Sequence, residues 1–155
     1  MTHSPSLARK ESAVQQSVYK LGRSYLLRLP PGEDLLVGLY RVCREYGIGQ
    51  GVFRANGAVR NATLGHLDQE TGELRSQILG SGQDLVECSG NVSPQGDSFQ
   101  IRAYAVLSDA QGQVSAGELL AAEIHVAEVL LHEMQGKPLT REQDPETGLW
   151  LWPAS

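Results

Sequence analysis

The sequence predicts a compact α+β domain, and three observations carry that prediction. Residues 33–46 form one amphipathic stretch with helical spacing. Most of the chain after it, from 51 to 109, consists of short apolar segments with period-two character. Turn-forming clusters, QETGE (69–73), PQGD (94–97) and AQGQ (110–113), separate those segments. Apolar residues at three- and four-residue steps specify a helix face, whereas alternation specifies a strand with one buried side. At 155 residues, with 41% hydrophobic and 20% charged residues, the chain suits one domain with a real core.

Taken in order, residues 1–16 are polar and without apolar periodicity, so they read as a loose arm ahead of a domain spanning 17–136. In SYLLRLPP, Tyr25, Leu27 and Leu29 alternate with more polar neighbours until two prolines stop the run, which predicts a strand. Leu35, Leu36, Leu39, Cys43 and Tyr46 share one face of the helix. Glu33 and Asp34 suit its positive end, Arg41 and Arg44 its last turn, and Gly47 its left-handed terminus. Residues 51–68 read as two successive strands or one bent strand, with 74–80 as its hairpin partner. Two further alternating segments follow at 84–93 and 98–109.

The stretch 117–134 divides the signals. Leu120, Ile124, Ala127, Leu131 and Met134 make a helical stripe rich in helix formers, yet Ile124, Val126, Val129 and Leu130 would serve a buried strand. Propensity alone predicts a helix. The last segment, 137–155, reads as a tail packed on the domain or on a neighbouring subunit. Its Trp150 and Trp152, the only tryptophans, are two apart, so an extended tail would turn both to one side.

Thirteen Lys and Arg against eighteen Asp and Glu give a net charge of −5, with no basic stripe. DNA is thereby disfavoured as a partner, because phosphate binding needs clustered positive charge. Arg23, Arg28, Arg41 and Arg44 read as solitary surface charges. No apolar run reaches membrane-spanning length, and MTHSPSLARKES has no hydrophobic core of a secretory signal, so a cytoplasmic location is expected. Cys43 and Cys88 lack metal-ligand spacing and read as buried, reduced thiols.

Motifs for nucleophilic or phosphate chemistry are missing. There is no GxSxG elbow, no P-loop and no well-placed GxGxxG; GSG at 80–82 is a lone turn. His3, His66, His125 and His132 do not fall at familiar ligand steps, although His66, beside Gly65 in a strand, could reach a subunit cleft. Glu87, Glu118 and Glu128 would pair only if the fold brought two of them together.

Several segments together resemble the plant-and-prokaryote-conserved (PPC) domain family. YLLRLPPGEDLLVGLYRVCREYGI (25–48) resembles the family's opening strand and helix, ANGAVRNATLG (55–65) its glycine-centred strand, and ECSGNVS (87–93) its short Ser-Gly-Asn turn. AYAVLSDAQGQVSAGELL (103–120) and AEVLL (127–131) are similar to its late hairpin and closing strand, and DPETGLWLW (144–152) to a tail that many bacterial members carry. The resemblance implies a mostly antiparallel sheet with a few helices, a fold similar to that of acetolactate decarboxylase, and a homotrimer. It also implies a strand at 121–132, against propensity. Family membership of this kind implies no particular chemistry.

Prokaryotic members of the family carry a His-x-His pair on the strand corresponding to 102–104 and a Gly-His-Leu in the next strand, a set suited to zinc. Here those positions hold Arg102, Tyr104 and Glu118. A guanidinium stays protonated and cannot ligate a metal. No metal or other cofactor is therefore expected. Two readings of the altered cluster stand. Arg102 and Glu118 could close the cavity as a salt bridge with Tyr104 packed over it. Alternatively, Arg102 could clamp a carboxylate or phosphate while Tyr104 supplies a hydroxyl. The candidate ligand-binding residues are Arg102, Tyr104, Glu118 and His66.

The functional expectation is a non-catalytic homotrimeric module for assembly or for binding a small anion. A DNA-associated regulator is the first alternative, since plant members join this domain to AT-hooks. Gly22-Arg23-Ser24 lacks the Arg-Gly-Arg core that a hook needs. A small-molecule enzyme derived from a metal-binding ancestor is the second.

Overall fold

A computed structural model describes residues 17–153 of the chain, so the expected arm over 1–16 lies outside the described residues. The chain runs through β1 (Lys20–Leu29), α1 (Leu35–Glu45), β2 (Gly51–Leu67), β3 (Leu74–Leu79), β4 (Gln83–Gln95), β5 (Ser98–Ser108), β6 (Val114–Gln135), β7 (Glu142–Gln143) and β8 (Trp150–Leu151). The fold is α+β, with a mostly antiparallel sheet. Where a few helices were expected, the described residues contain one.

That helix starts at Asp34. One oxygen of its carboxylate accepts from the amides of Leu36 and Val37 at 2.9 and 3.0 Å, the geometry of an N-cap. The other accepts from the Ala122 amide at 2.8 Å, tying the helix start to β6. Glu33 stays outside the helix: its backbone carbonyl accepts from Ile124 and its side chain holds Arg41 at 3.0 Å. Gly47 ends the helix with φ +68°. Leu35, Leu39, Val42 and Cys43 turn the apolar face onto β5 and β6. Arg41 and Arg23 are thus not solitary charges; Arg23 grips Glu133 through two side-chain bonds of 2.9 and 3.0 Å.

Residues 51–67 are one strand, bent by register shifts near Ala55 and again between Ala58 and Leu64. Residues 114–135 are one strand of 22 residues, not the helix that propensity favours. The physical reason is pairing. β6 is hydrogen-bonded along one edge to β2 and along the other to β5 and then β1, so its backbone is satisfied by neighbours on both sides. A helix propensity of a few tenths of a kcal/mol per residue does not compete with that.

The strand order β1-β6-β5-β4-β2-β3 is closed by the further pairing of β6 with β2. Strands β2, β4, β5 and β6 therefore form a small barrel, extended by β1 and β3. Closure brings β2 very near β6 at Gly57, where φ is +150° and a Cβ would lie 1.9 Å from the Val126 carbonyl oxygen. Only glycine fits there. Inward side chains such as Phe53, Leu64, Leu107, Leu119 and Leu131 fill the barrel, each at most 2% exposed. Directly paired residues share a face, so the register Leu26–Leu130–Arg54–Ser89–Tyr104–Glu118 traces a belt around the outside.

Candidate functional site

Tyr104 and Glu118 are directly opposite one another on β5 and β6, and Arg102 lies two residues from Tyr104 on the same face. The fold thus brings three of the four candidate residues together. The Arg102 Nε approaches Glu118 Oε1 at 3.7 Å, an ion pair without a hydrogen bond. Both side chains are largely covered, whereas Tyr104 is exposed. The fourth candidate, His66, borders the cluster: a Cβ on Gly117 would lie 3.0 Å from its Cε1. Its side chain is exposed.

The C-terminal segment completes the cluster with groups that the motif search passes over. Tyr19 donates to the Lys137 carbonyl at 2.7 Å, and the Leu139 amide donates to Gln50 at 3.0 Å. The Arg141 amide then donates to the Pro94 carbonyl at 2.7 Å. The Arg141 side chain is 5% exposed; it donates to Asn91 Oδ1 at 2.8 Å and to the Trp150 carbonyl at 3.2 Å. Arg102 donates to that same carbonyl at 3.1 Å. Trp152 stacks over the Arg141 guanidinium at 5.1 Å and its indole N–H donates to Ser93 at 3.1 Å.

The electrostatics are unbalanced. Two guanidinium groups meet one carboxylate, and the Nε atoms of both Arg102 and Arg141 are buried without an acceptor. Burial, followed by the nearby charge of Arg102, pushes the Arg141 pKa down. Nothing in sequence spacing marks Arg141, because its place depends on the path of the tail. The faint signal was the Trp150/Trp152 pair, which shows where the tail is anchored.

A divalent cation does not suit these donors. Arg102 occupies the face where a cation would sit and repels it, and Glu118 and Tyr104 offer too few oxygens to compensate. No step through a metal follows from them. Among the described residues no three His, Cys, Asp or Glu side chains converge. Glu87 is held by Arg54 through bonds of 2.8 and 3.0 Å. His125 accepts from Arg60 at 2.9 Å, and His132 shares a 2.7 Å bond with Ser24. Both cysteines are buried, which pushes their thiols up to about 11 for Cys43 and about 12 for Cys88. A concavity of about 580 Å³, lined in part by Arg60, Asp84, Asp109 and His125, contains none of the cluster residues. Its charged groups show no convergent chemistry, so the buried arginine cluster carries more weight than volume does.

Residues 16–135 match the model of the Plants and Prokaryotes Conserved (PCC) domain. Among solved structures, a plant- and prokaryote-conserved protein of Pyrococcus horikoshii is 30% identical with a TM-score of 0.86, over 92% of this chain and 99% of that one. A metal-containing protein of Archaeoglobus fulgidus is 32% identical, also at 0.86, over 90% and 99%. A candidate DNA-binding protein of Bacteroides thetaiotaomicron shares the fold at 19% identity and a TM-score of 0.79, over 89% and 99%. A sequence comparison with curated proteins gives no match. No helix among the described residues is long and apolar enough to cross a membrane.

Proposed function

The chain belongs to the Plants and Prokaryotes Conserved domain family, and from that premise we propose that it is a non-catalytic homotrimeric module, assembling through the outer belt of its barrel. The observation that carries this reading is Leu26, 86% exposed in the middle of β1. It is paired with Leu130, and the two line a concavity of about 460 Å³ with Arg54, Asn56 and Glu128. Val52 and Val86 are also exposed on neighbouring strands. An apolar stripe flanked by both signs of charge can cover a second copy of itself. The trimer is the state that the family resemblance implies.

A binding or structural role is supported over catalysis by the chemistry of the cluster. Arg102 and Arg141 are permanent cations, neither bases nor metal ligands, and among the described residues no activated nucleophile faces them. The metal content of the Archaeoglobus relative is not carried over, since Arg102 opposes a cation. The net charge of −5 weighs against DNA.

Light scattering on the eluting full-length chain tests assembly. The expected mass is three times that of one chain, and Leu26→Glu should yield a folded monomer by circular dichroism. A wild-type monomer at micromolar concentration would sink the reading. A stoichiometric metal in elemental analysis would overturn the account of Arg102.

A further inference from the structure

We propose that Arg102 and Arg141 form a two-arginine oxyanion subsite, and that the Trp150 carbonyl is a built-in placeholder which a carboxylate or phosphate oxygen displaces. The inference rests on reading the cluster as a charge-based site; it does not depend on assembly.

Arg102 and Arg141 have one acceptor in common. They converge on one neutral oxygen, at 3.1 and 3.2 Å. A carbonyl carries only a partial charge, so the acceptor they share neutralises neither guanidinium. An oxyanion adds a full opposite charge to the same hydrogen-bond geometry, so it outcompetes a neutral carbonyl on these donors. The buried Nε of each arginine lacks an acceptor, which leaves capacity that the placeholder does not use. Arg141 is 5% exposed, yet among the described residues the only carboxylate facing the pair is Glu118, at 3.7 Å from Arg102. A buried site with surplus positive charge is completed by an anion.

The fold also separates what must stay from what must move. Arg141 is pinned through its backbone amide to Pro94 and through its side chain to Asn91. Trp150 lies across the 144–149 turn from Gln143, in a ladder only two residues long on each side, Glu142–Gln143 with Trp150–Leu151. Lifting the segment that carries the placeholder breaks that short ladder and the Trp152–Ser93 bond, while both arginines remain held on the barrel. A cavity of about 230 Å³ adjoins Trp152, lined in part by Asn91, Ser93 and Leu139; neither arginine lines it.

The two tryptophans report the exchange directly, because the chain has no others. Inorganic phosphate and, in a parallel arm, succinate are titrated into the full-length protein at constant ionic strength with chloride as the control. The expected result is a saturable red shift of tryptophan emission with at least one of the two. Arg102→Ala should weaken it roughly tenfold or more, the loss of one charge-assisted bond. A variant ending at Leu149 removes the placeholder and should bind about tenfold more tightly by calorimetry, as displacement no longer opposes binding. The arm that responds identifies phosphate or carboxylate. No saturable response to either, an equal response to chloride, or an unchanged response in Arg102→Ala overturns the proposal. Light scattering on the same samples keeps it apart from assembly: a responsive monomer sinks only the trimer.

Discussion

On the outer face of the barrel Arg54 holds Glu87 through two parallel hydrogen bonds of 2.8 and 3.0 Å, while Arg102 and Glu118 approach only to 3.7 Å. Both pairs join the same two residue types on neighbouring strands, yet one is saturated and the other is not. The Arg54 side chain is 66% exposed and has no competing partner, so it can adopt the fork geometry. Arg102 is 21% exposed and shares the Trp150 carbonyl with Arg141. The difference teaches that composition does not decide whether an arginine–glutamate pair is a finished structural contact. A second guanidinium brought in by a distant segment leaves this one incomplete.

The largest effect expected bears on the strand that connects the two pairs. Gly90 in β4 lies between Ser89, in the belt with Arg54, and Asn91, the partner of Arg141. A Cβ there would lie 2.0 Å from the Arg102 carbonyl oxygen and 2.8 Å from Phe53. Gly90→Ala should cost about 3 kcal/mol of stability, as overpacking against backbone does, and urea denaturation measures it. An unshifted midpoint would mean that β4 and β5 can separate without loss.

The comparison itself is tested by truncating one arginine from each region. Arg141→Ala removes the two hydrogen bonds of a buried guanidinium and its stacking on Trp152, and should cost about 2 kcal/mol. Arg54→Ala should cost under about 1 kcal/mol, the range of exposed pairs. Equal losses in thermal denaturation would erase the distinction drawn above.

The smallest effect concerns pH and the third outer pair, Arg23 with Glu133. The guanidinium and backbone amide of Arg23 hold the Glu133 carboxyl down at about 2, below its ordinary 4.5. A depressed folded-state value means that the pair stabilises the protein fully above pH 4.5, and that this contribution fades as pH falls toward 2. Glu133→Gln should flatten that part of a stability–pH profile and leave neutral pH modestly destabilised. An unaltered profile would show that the contact is open in solution.

Much of the fold was legible in local patterns. Leucine spacing and Asp34 located the helix to within two residues, because capping and amphipathicity are local. Alternation located β4 and β5 for the same reason. What alternation does not encode is closure: an open sheet and a barrel have the same period, and the pairing of β2 with β6, with its close approach at Gly57, separates them. β6 misled propensity because its strand state depends on partners remote in sequence. At the site, Arg102, Tyr104 and Glu118 were found through their positions in the family pattern, and the register places them together. Arg141 was not, since its burial follows from Tyr19, Gln50 and Pro94 guiding the tail, contacts that no spacing rule expresses.

The length of β6 has a consequence for how the chain reaches this structure. The first strand, β1, pairs with residues 127–135, the far end of β6. Until that last stretch leaves the ribosome, the Leu29 side of β1 and the β2 face next to it have no cover. Local hairpins such as β4–β5 can form early, but the barrel locks only when its latest strand inserts between its earliest two. Loops of about a hundred residues must close before that contact yields any stabilisation. Synthesis therefore exposes an incomplete sheet for most of its duration, and the same strand that makes the fold cooperative makes it late.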